Sequence, residues 1–294
     1  MFVSALRVRA SATKELEVGR TSRSELLGEI RFVTYLSPGI PQAFFDAIVD
    51  HVRRTLGCER TSLRVEARVS GPERGADDPF SRGEADVGFM CSPSYIWLRE
   101  LQPPPVELLG AAPVFRDERN AGKPVYFCDV VVRRDGPIRS FAHLQDLAWA
   151  YNDACSLSGY HSLLNRLAEA DEDERFFGRM ICSGSHLNSI EAVIAGEADA
   201  AAIDSNVLSM RLGEAPDLRE RLRVIESWGP FPIQPVVVRC ALRPELREGL
   251  RASLLAVDED ARTRRALSEF GLKGFAPVRE EDYSLALLGH RALG

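Results

Sequence analysis

The sequence predicts an α/β protein of two domains, and three observations carry that reading. At roughly 150 residues per domain, 294 residues give about two domains. The 45% hydrophobic and 27% charged content is that of an ordinary globular chain, which argues against long disorder, a disulfide scaffold or a fibrous repeat. From Gly28 onward one unit recurs: a short β-branched or apolar run, a polar turn rich in Ser, Gly, Pro, Asn or Asp, then a stretch with helical apolar spacing. Strands alternating with helices imply mostly parallel sheets with covered faces, and these units are too many for one small sheet.

The elements follow in order. Residues 1–28 are polar, of alternating charge and without a clear period, and read as an N-terminal extension. IRFVTY (30–35) is a strand; the turn LSPGIP then leads to the helix QAFFDAIVDHVRRTL, whose Phe44, Phe45, Ile48, Val49 and Val52 share one face. Pro41 suits the first turn of that helix. LRVEARV (63–69) and ADVGFM (85–90) are strands, the second running through CSPSY into the helical IWLREL. The prolines of QPPPVE fit an extended connection and no helix. VELLGAAPVF (106–115) and PVYFCDVVVRR (124–134) read as two strands, and Asp135-Gly136 ends the second. AWAY (148–151) leads through NDACSLSG to the helix YHSLLNRLAEA, and RMIC (179–182) through SGSH into LNSIEAVIAG, with Gly196 as a helix stop. ADAAAID (198–204) enters SNVLSMRL. The chain closes with LRVIESWG, PIQPVVVRCAL, the helices RPELREGLRASLLAV and RTRRALSEF, and GFAPVREEDYSLALLG.

Thirty-seven Lys and Arg against 43 Asp and Glu leave a net charge of -6, a field that repels nucleic acid and anionic lipid. No apolar run approaches the 18 residues of a membrane span, so neither a nucleic-acid partner nor membrane insertion is expected. The opening residues lack a basic region followed by an apolar core; as written the chain reads as cytoplasmic, and a periplasmic location requires a different start. The six cysteines form no CxxC pair and no His/Cys cluster, which removes the usual zinc and redox-motif readings. GxxxxGK[ST], HExxH, GxSxG and a strand-linked GxGxxG are all missing. No metal and no cofactor are expected.

Chemistry concentrates in four strand-to-helix turns, YLSPG (35–39), CSPSY (91–95), CSLSGY (155–160) and CSGSH (182–186). Ligands of open α/β sheets collect where strands end and helices begin. Hydroxyls and free backbone N–H groups at a helix start form an anion site that needs no Lys or Arg, and small Ser and Gly residues permit the close approach it requires. The candidate ligand-binding residues are Tyr35, Ser94, Tyr95, Tyr151, Ser156, Ser158, Gly159, Ser185, His186 and Asp204. Each has a plain structural alternative: serine as an N-cap, tyrosine as a half-buried packing residue, His186 as a cap, Asp204 as the cap of the helix after AAAID. Asp204 is otherwise an acceptor for a ligand amine or a protonated oxygen. Cys182 four residues before His186 raises a Cys/His nucleophilic pair, against which stands the ordinary inertness of a cysteine at a strand end.

At these same turns the sequence resembles the phosphate, phosphite and phosphonate substrate-binding proteins of ABC transporters. The matching segments are YLSPGIP, ADVGFMCSPSYIWL, DLAWAYNDACSLSGYHSLL, SGSHLNSIEAVIAGEADAAAIDSNVL, PIQPVVVRCALRPELREGL and FGLKGFAPVREEDY, in order over residues 30–283. The resemblance implies the type 2 periplasmic-binding-protein fold: two lobes, each a mostly parallel sheet flanked by helices, joined by two hinge strands. It puts lobe 1 at 29–125 plus 234–294 and lobe 2 at 126–233. It implies that Ser156 and Ser158 hold the oxygens of the anion, with Tyr35, Tyr95, His186 and Asp204 at further pocket positions. The family's Ser-Thr-Ser-Gly turn stands here as Ser156-Leu157-Ser158-Gly159, one hydroxyl short.

The function expected is binding of a small oxyanion, a phosphonate or phosphate-like ligand, in an interlobe cleft, as a substrate-binding or sensing protein without catalysis. An ABC permease or a regulatory protein is the macromolecular partner expected. The alternative is a cytosolic enzyme on the same scaffold using Cys182, His186 and Asp204.

Overall fold

A computed structural model of the chain describes residues 28–289; the N-terminal extension lies outside the described residues up to position 27. The first part holds β1 (Ile30–Thr34), α1 (Gln42–Leu56), β2 (Thr61–Val65), β3 (Val87–Phe89), α2 (Ser92–Glu100), β4 (Val106–Leu108) and β5 (Ala111–Phe115). Then come β6 (Val125–Arg133), β7 (Ala148–Tyr151), α3 (Ser162–Glu169), β8 (Arg179–Cys182), α4 (His186–Ala195), β9 (Ala200–Asp204), α5 (Ser205–Glu214), α6 (Leu218–Arg221) and β10 (Leu222–Pro232). The chain ends with β11 (Val236–Arg239), α7 (Pro244–Leu255), α8 (Ala261–Ser268) and β12 (Leu272–Pro277).

Two five-stranded sheets organise the molecule, in the orders β2-β1-β3-β11-β4 and β10-β6-β9-β7-β8, beside a two-stranded ribbon of β12 and β5. The parallel pairings are β1 with β2 and β3, and β7 with β8 and β9. The remaining pairings in these sheets, β11 with β3 and β4, β6 with β9 and β10, are antiparallel. The expectation of mostly parallel sheets is thus corrected to mixed ones. The physical reason is the crossing: β6 and β11 enter their sheets from the other lobe without a crossover helix, so they run against the strands they join. β6 and β10 pair with each other down to Val125 opposite Pro232, where one connection leads back to the ribbon strand β5 and the other on to β11 of the first sheet.

Local signals explain most boundaries. The apolar face of α1 buries Phe44, Phe45, Ile48 and Val52 against a core that includes Val33, Phe89 and Phe115. Gly196 ends α4 at φ 76°, a left-handed conformation open to glycine at little cost. Trp149, wholly buried, stacks on Trp228 and packs against Phe177 and Phe141 to form the core beneath β7 and β6. One expected strand, 106–115, is two: Gly110 turns the chain at φ 76°, so β4 joins the first sheet and β5 the ribbon.

The first sheet is pinned at its outer end by Asp86, 3% exposed. Its carboxylate accepts from the backbone N, Nε and Nη2 of Arg31 and from Nη2 of Arg239 at 2.8–3.0 Å. Burial pushes that carboxyl up, but these hydrogen bonds hold it below the usual carboxylate range. Asp86→Ala strands two arginines behind strands β1 and β11, and should cost roughly 2–4 kcal/mol in denaturant unfolding, with less loss for Asp86→Asn.

Candidate ligand-binding site

The four serine-bearing turns meet. Because β7, β8 and β9 are aligned and β1 and β3 are aligned, their carboxyl ends open on one crevice between the sheets. The crevice encloses a cavity of about 40 Å³. The first-sheet side supplies Tyr35–Ile40, Ala67, Val69, Ser70 and Cys91. The second-sheet side supplies Asn152, Asp153, Ser156, Ser158, Gly184–His186, Asp204 and Val207, with Gln234 at the second crossing. Among the described residues, no Lys or Arg lines it.

The hydroxyl cluster sits on the turn before α3. Ser158 Oγ lies 2.9 Å from His186 Nε2 and 3.5 Å from Ser156 Oγ, and Gly159 N donates to Ser156 Oγ at 3.0 Å. His186 opens α4, whose cap is Ser185 accepting from Asn188 N. Burial drives the imidazole pKa down to about 4, so the ring is neutral at pH 7 and carries one proton. Its Nδ1 is buried and has no partner among the described residues. With Ser158 donating to Nε2, Nδ1–H is a free donor; in the other tautomer Nε2–H donates to Ser158.

Two buried acids complete the walls. Asp153 accepts from Cys155 N at 2.8 Å, from Asn152 Nδ2 at 3.0 Å and, across the crevice, from Ser70 Oγ at 2.7 Å. Burial raises its pKa while the Ser70 bond lowers it. Leu157 N donates to Cys91 Sγ at 3.1 Å, a second bond across the crevice. Asp204 caps α5 by accepting from Asn206 N and Val207 N, and accepts from Gln234 Nε2 at 2.5 Å. Burial pushes this carboxyl up to about 6 against the pull of those bonds. The cavity thus combines hydroxyl and N–H donors with two buried carboxyls and, among the described residues, no cation.

Of the sequence-derived candidates, Tyr35, Ser156, Ser158, Ser185, His186 and Asp204 line the cavity. Ser94, Tyr95, Tyr151 and Gly159 do not. Ser94 and Tyr95 fall on the face of α2 that turns into the core: Ser94 packs under Gly71, and Tyr95 meets the edge of Tyr283. Tyr151 stacks on Tyr160, 5.0 Å between ring centres. Gly159 serves from behind, since a Cβ there would stand 1.9 Å from Asn152 Oδ1. Ser70, Asn152 and Gln234 line the cavity without having been singled out. The Cys182/His186/Asp204 catalytic set is not assembled: Cys182 is exposed with Sγ on Asn152 O, His186 faces Ser158, and Asp204 is occupied by Gln234.

Sheets, crossings and crevice define the class, a type 2 periplasmic binding protein. The model of a family described as ABC transporter, phosphonate, periplasmic substrate-binding protein matches residues 30–283, and the chain belongs to that family. This is a family of transport components that bind substrate, not of enzymes. It corrects the cytoplasmic expectation, which rested on residues outside the described ones. A binding protein of an ABC phosphonate transporter from Pseudomonas aeruginosa is similar at TM-score 0.73, with 18% identity over 87% of this chain and 83% of that one. PhnD1 from Prochlorococcus marinus, solved with methylphosphonate, gives 0.72 and 15% over 90% and 98%. XAC2383 from Xanthomonas citri, solved with chloride, gives 0.66 and 21% over 91% and 99%. At these identities the likeness is one of fold.

The buried neutral His186 has a pH signature. Its folded pKa is depressed, so the unfolded chain takes up the proton first, and stability is lost as pH falls from about 6.5 toward about 4. His186→Asn abolishes this term. Between pH 7 and pH 5 its unfolding free energy should gain about 2 kcal/mol relative to the parent, read by denaturant titration at both pH values. An unchanged difference means that the imidazole is not buried neutral.

Proposed function

We propose that the protein captures a compact tetrahedral oxyanion, a phosphonate or phosphate-like ion, in the cavity between its lobes and presents it to an ABC permease. In this reading lobe 1 comprises residues 29–125 and 234–294, and lobe 2 residues 126–233. The observation that carries it is the cavity itself: it is small, about 40 Å³, and lined by the Ser156 and Ser158 hydroxyls and the His186 ring, which suits a compact ion. Its donors are the Ser156 hydroxyl, either the Ser158 hydroxyl or the His186 ring N–H according to the tautomer, and the amides at the starts of flanking helices.

Closure is how such donors become strong. With the lobes together water is excluded, and hydrogen bonds in the lowered dielectric gain strength. The bonds Ser70–Asp153 and Cys91–Leu157 cross the crevice, so they form only when the lobes meet. Leu287 O also accepts from Asn165 Nδ2 at 3.0 Å, tying the C-terminal segment to α3. Each cross-crevice bond adds to the closed state without touching the ion.

Calorimetric titration with phosphate, phosphite, methylphosphonate and aminoethylphosphonate tests the ligand class: saturable binding of at least one is expected, and no heat with any of the four overturns the reading. Ser158→Ala should weaken binding by about 1–3 kcal/mol, the cost of an unpaired acceptor in a closed site. Full affinity in that variant reduces the hydroxyl to a helix-start residue.

A further inference from the structure

In the lobe division proposed above, the residues after β12 belong to lobe 1, yet they run on to lobe 2. Their footing is on the first lobe and the second crossing. Glu280 pairs with Arg99 of α2 at 2.9 Å, and the buried Tyr283 donates from its hydroxyl to Ile233 O at 2.9 Å and meets Tyr95 of α2 edge-on. From there the short turn Leu285–Leu288 lies against α2 on one side and against α3 and the turn before it on the other. Leu288 is buried. Leu287 O accepts from Asn165 Nδ2 at 3.0 Å, and Gly289 comes so near that a Cβ there would stand 2.1 Å from Asn165 Oδ1.

Asn165 stands on the helix that continues the Ser156–Ser158 turn, and Ser162, one turn earlier on it, donates from Oγ to Ser158 O at 2.7 Å. Trp97 of α2 meets His161 at the end of the same turn, 5.8 Å between ring centres. The hydroxyl-bearing turn is thus held from lobe 1 at two points. We propose that Asn165 is a positioning residue for anion binding and that residues 285–289 form a clasp: by donating to Leu287 O, Asn165 fastens that turn to lobe 1 once the lobes have met, and so sets how long a captured anion stays. This rests on the oxyanion reading above. Neither Asn165 nor any clasp residue lines the cavity, so the clasp acts on the population of the closed state and not on the ion. A bond made after capture and broken before release slows dissociation and leaves association nearly alone.

Stopped-flow tryptophan fluorescence, with Trp97 as the reporter of closure, reads both rates for methylphosphonate and for phosphate. Asn165→Leu removes the donor at similar volume, and Gly289→Val displaces the clasp from the opposite side, which provides a second variant should the first fail to fold. Each should speed the dissociation of both anions by one common factor of about 3- to 10-fold, the range of a single lost hydrogen bond, with association within about twofold of the parent's. Parent-like dissociation in both variants, an effect confined to one anion, or a loss carried by association overturns the assignment. A lower unfolding midpoint with unaltered dissociation reduces Asn165 to a packing residue and overturns it as well. Should neither anion bind the parent, it is the oxyanion reading that fails, and hydrogen exchange then decides the clasp without a ligand. The amides of residues 157–169 should exchange faster in Gly289→Val than in the parent, and equal exchange overturns the clasp.

Discussion

An anion enclosed without a cation must draw all its stabilisation from dipoles that are already in place. Removing an ion from water costs far more than any single neutral hydrogen bond returns, so donors have to converge from several directions and stay aimed. Nearly every feature of the fold serves that constraint. The parallel alignment of β7, β8 and β9 brings Asp153, the Ser185–His186 helix start and Asp204 to one edge. The alignment of β1 with β3 brings the Tyr35–Ile40 turn and Cys91 to the opposite edge. Mixed sheets follow from the same need, because two lobes that close on each other must be joined by strands crossing between them.

The two buried carboxyls look adverse in such a place and are instead structural. Asp153 is the acceptor of the bond that bridges the crevice from Ser70, and Asp204 is the cap of α5. Each has its hydrogen bonds supplied by the protein, which is what permits a carboxyl to be buried at all. Their presence also narrows the ligand: whatever enters between hydroxyls and carboxyls has to offer acceptors to one wall and tolerate acceptors on the other.

Much of this was legible in the sequence, for a physical reason. Hydroxyl residues at helix starts carry a local signature, so Ser156, Ser158, Ser185, His186 and Asp204 could be named from their turns, and those turns do meet. Whether a given serine in a turn faces the cavity depends on its position in the first helical turn, which spacing alone left open for Ser94 and Tyr95. Ser70, Asn152 and Gln234 had no such signature. Ser70 sits in a loop far in sequence from any helix start, Asn152 is seated by its contact with Gly159, and Gln234 matters only through a partner 30 residues away in sequence. The break at Gly110 and the reversed sense of β11 were likewise set by tertiary pairing, not by local pattern.

The most direct measurement is a crystal structure of the protein with methylphosphonate. The phosphonate oxygens should lie in the cavity within hydrogen-bond distance of Ser158 Oγ and of the ring or backbone N–H of His186, with Asp204 and Gln234 still bonded and no arginine or lysine in contact. An anion held elsewhere on the surface, or one reached by an arginine drawn into the crevice, contradicts a site built from dipoles alone.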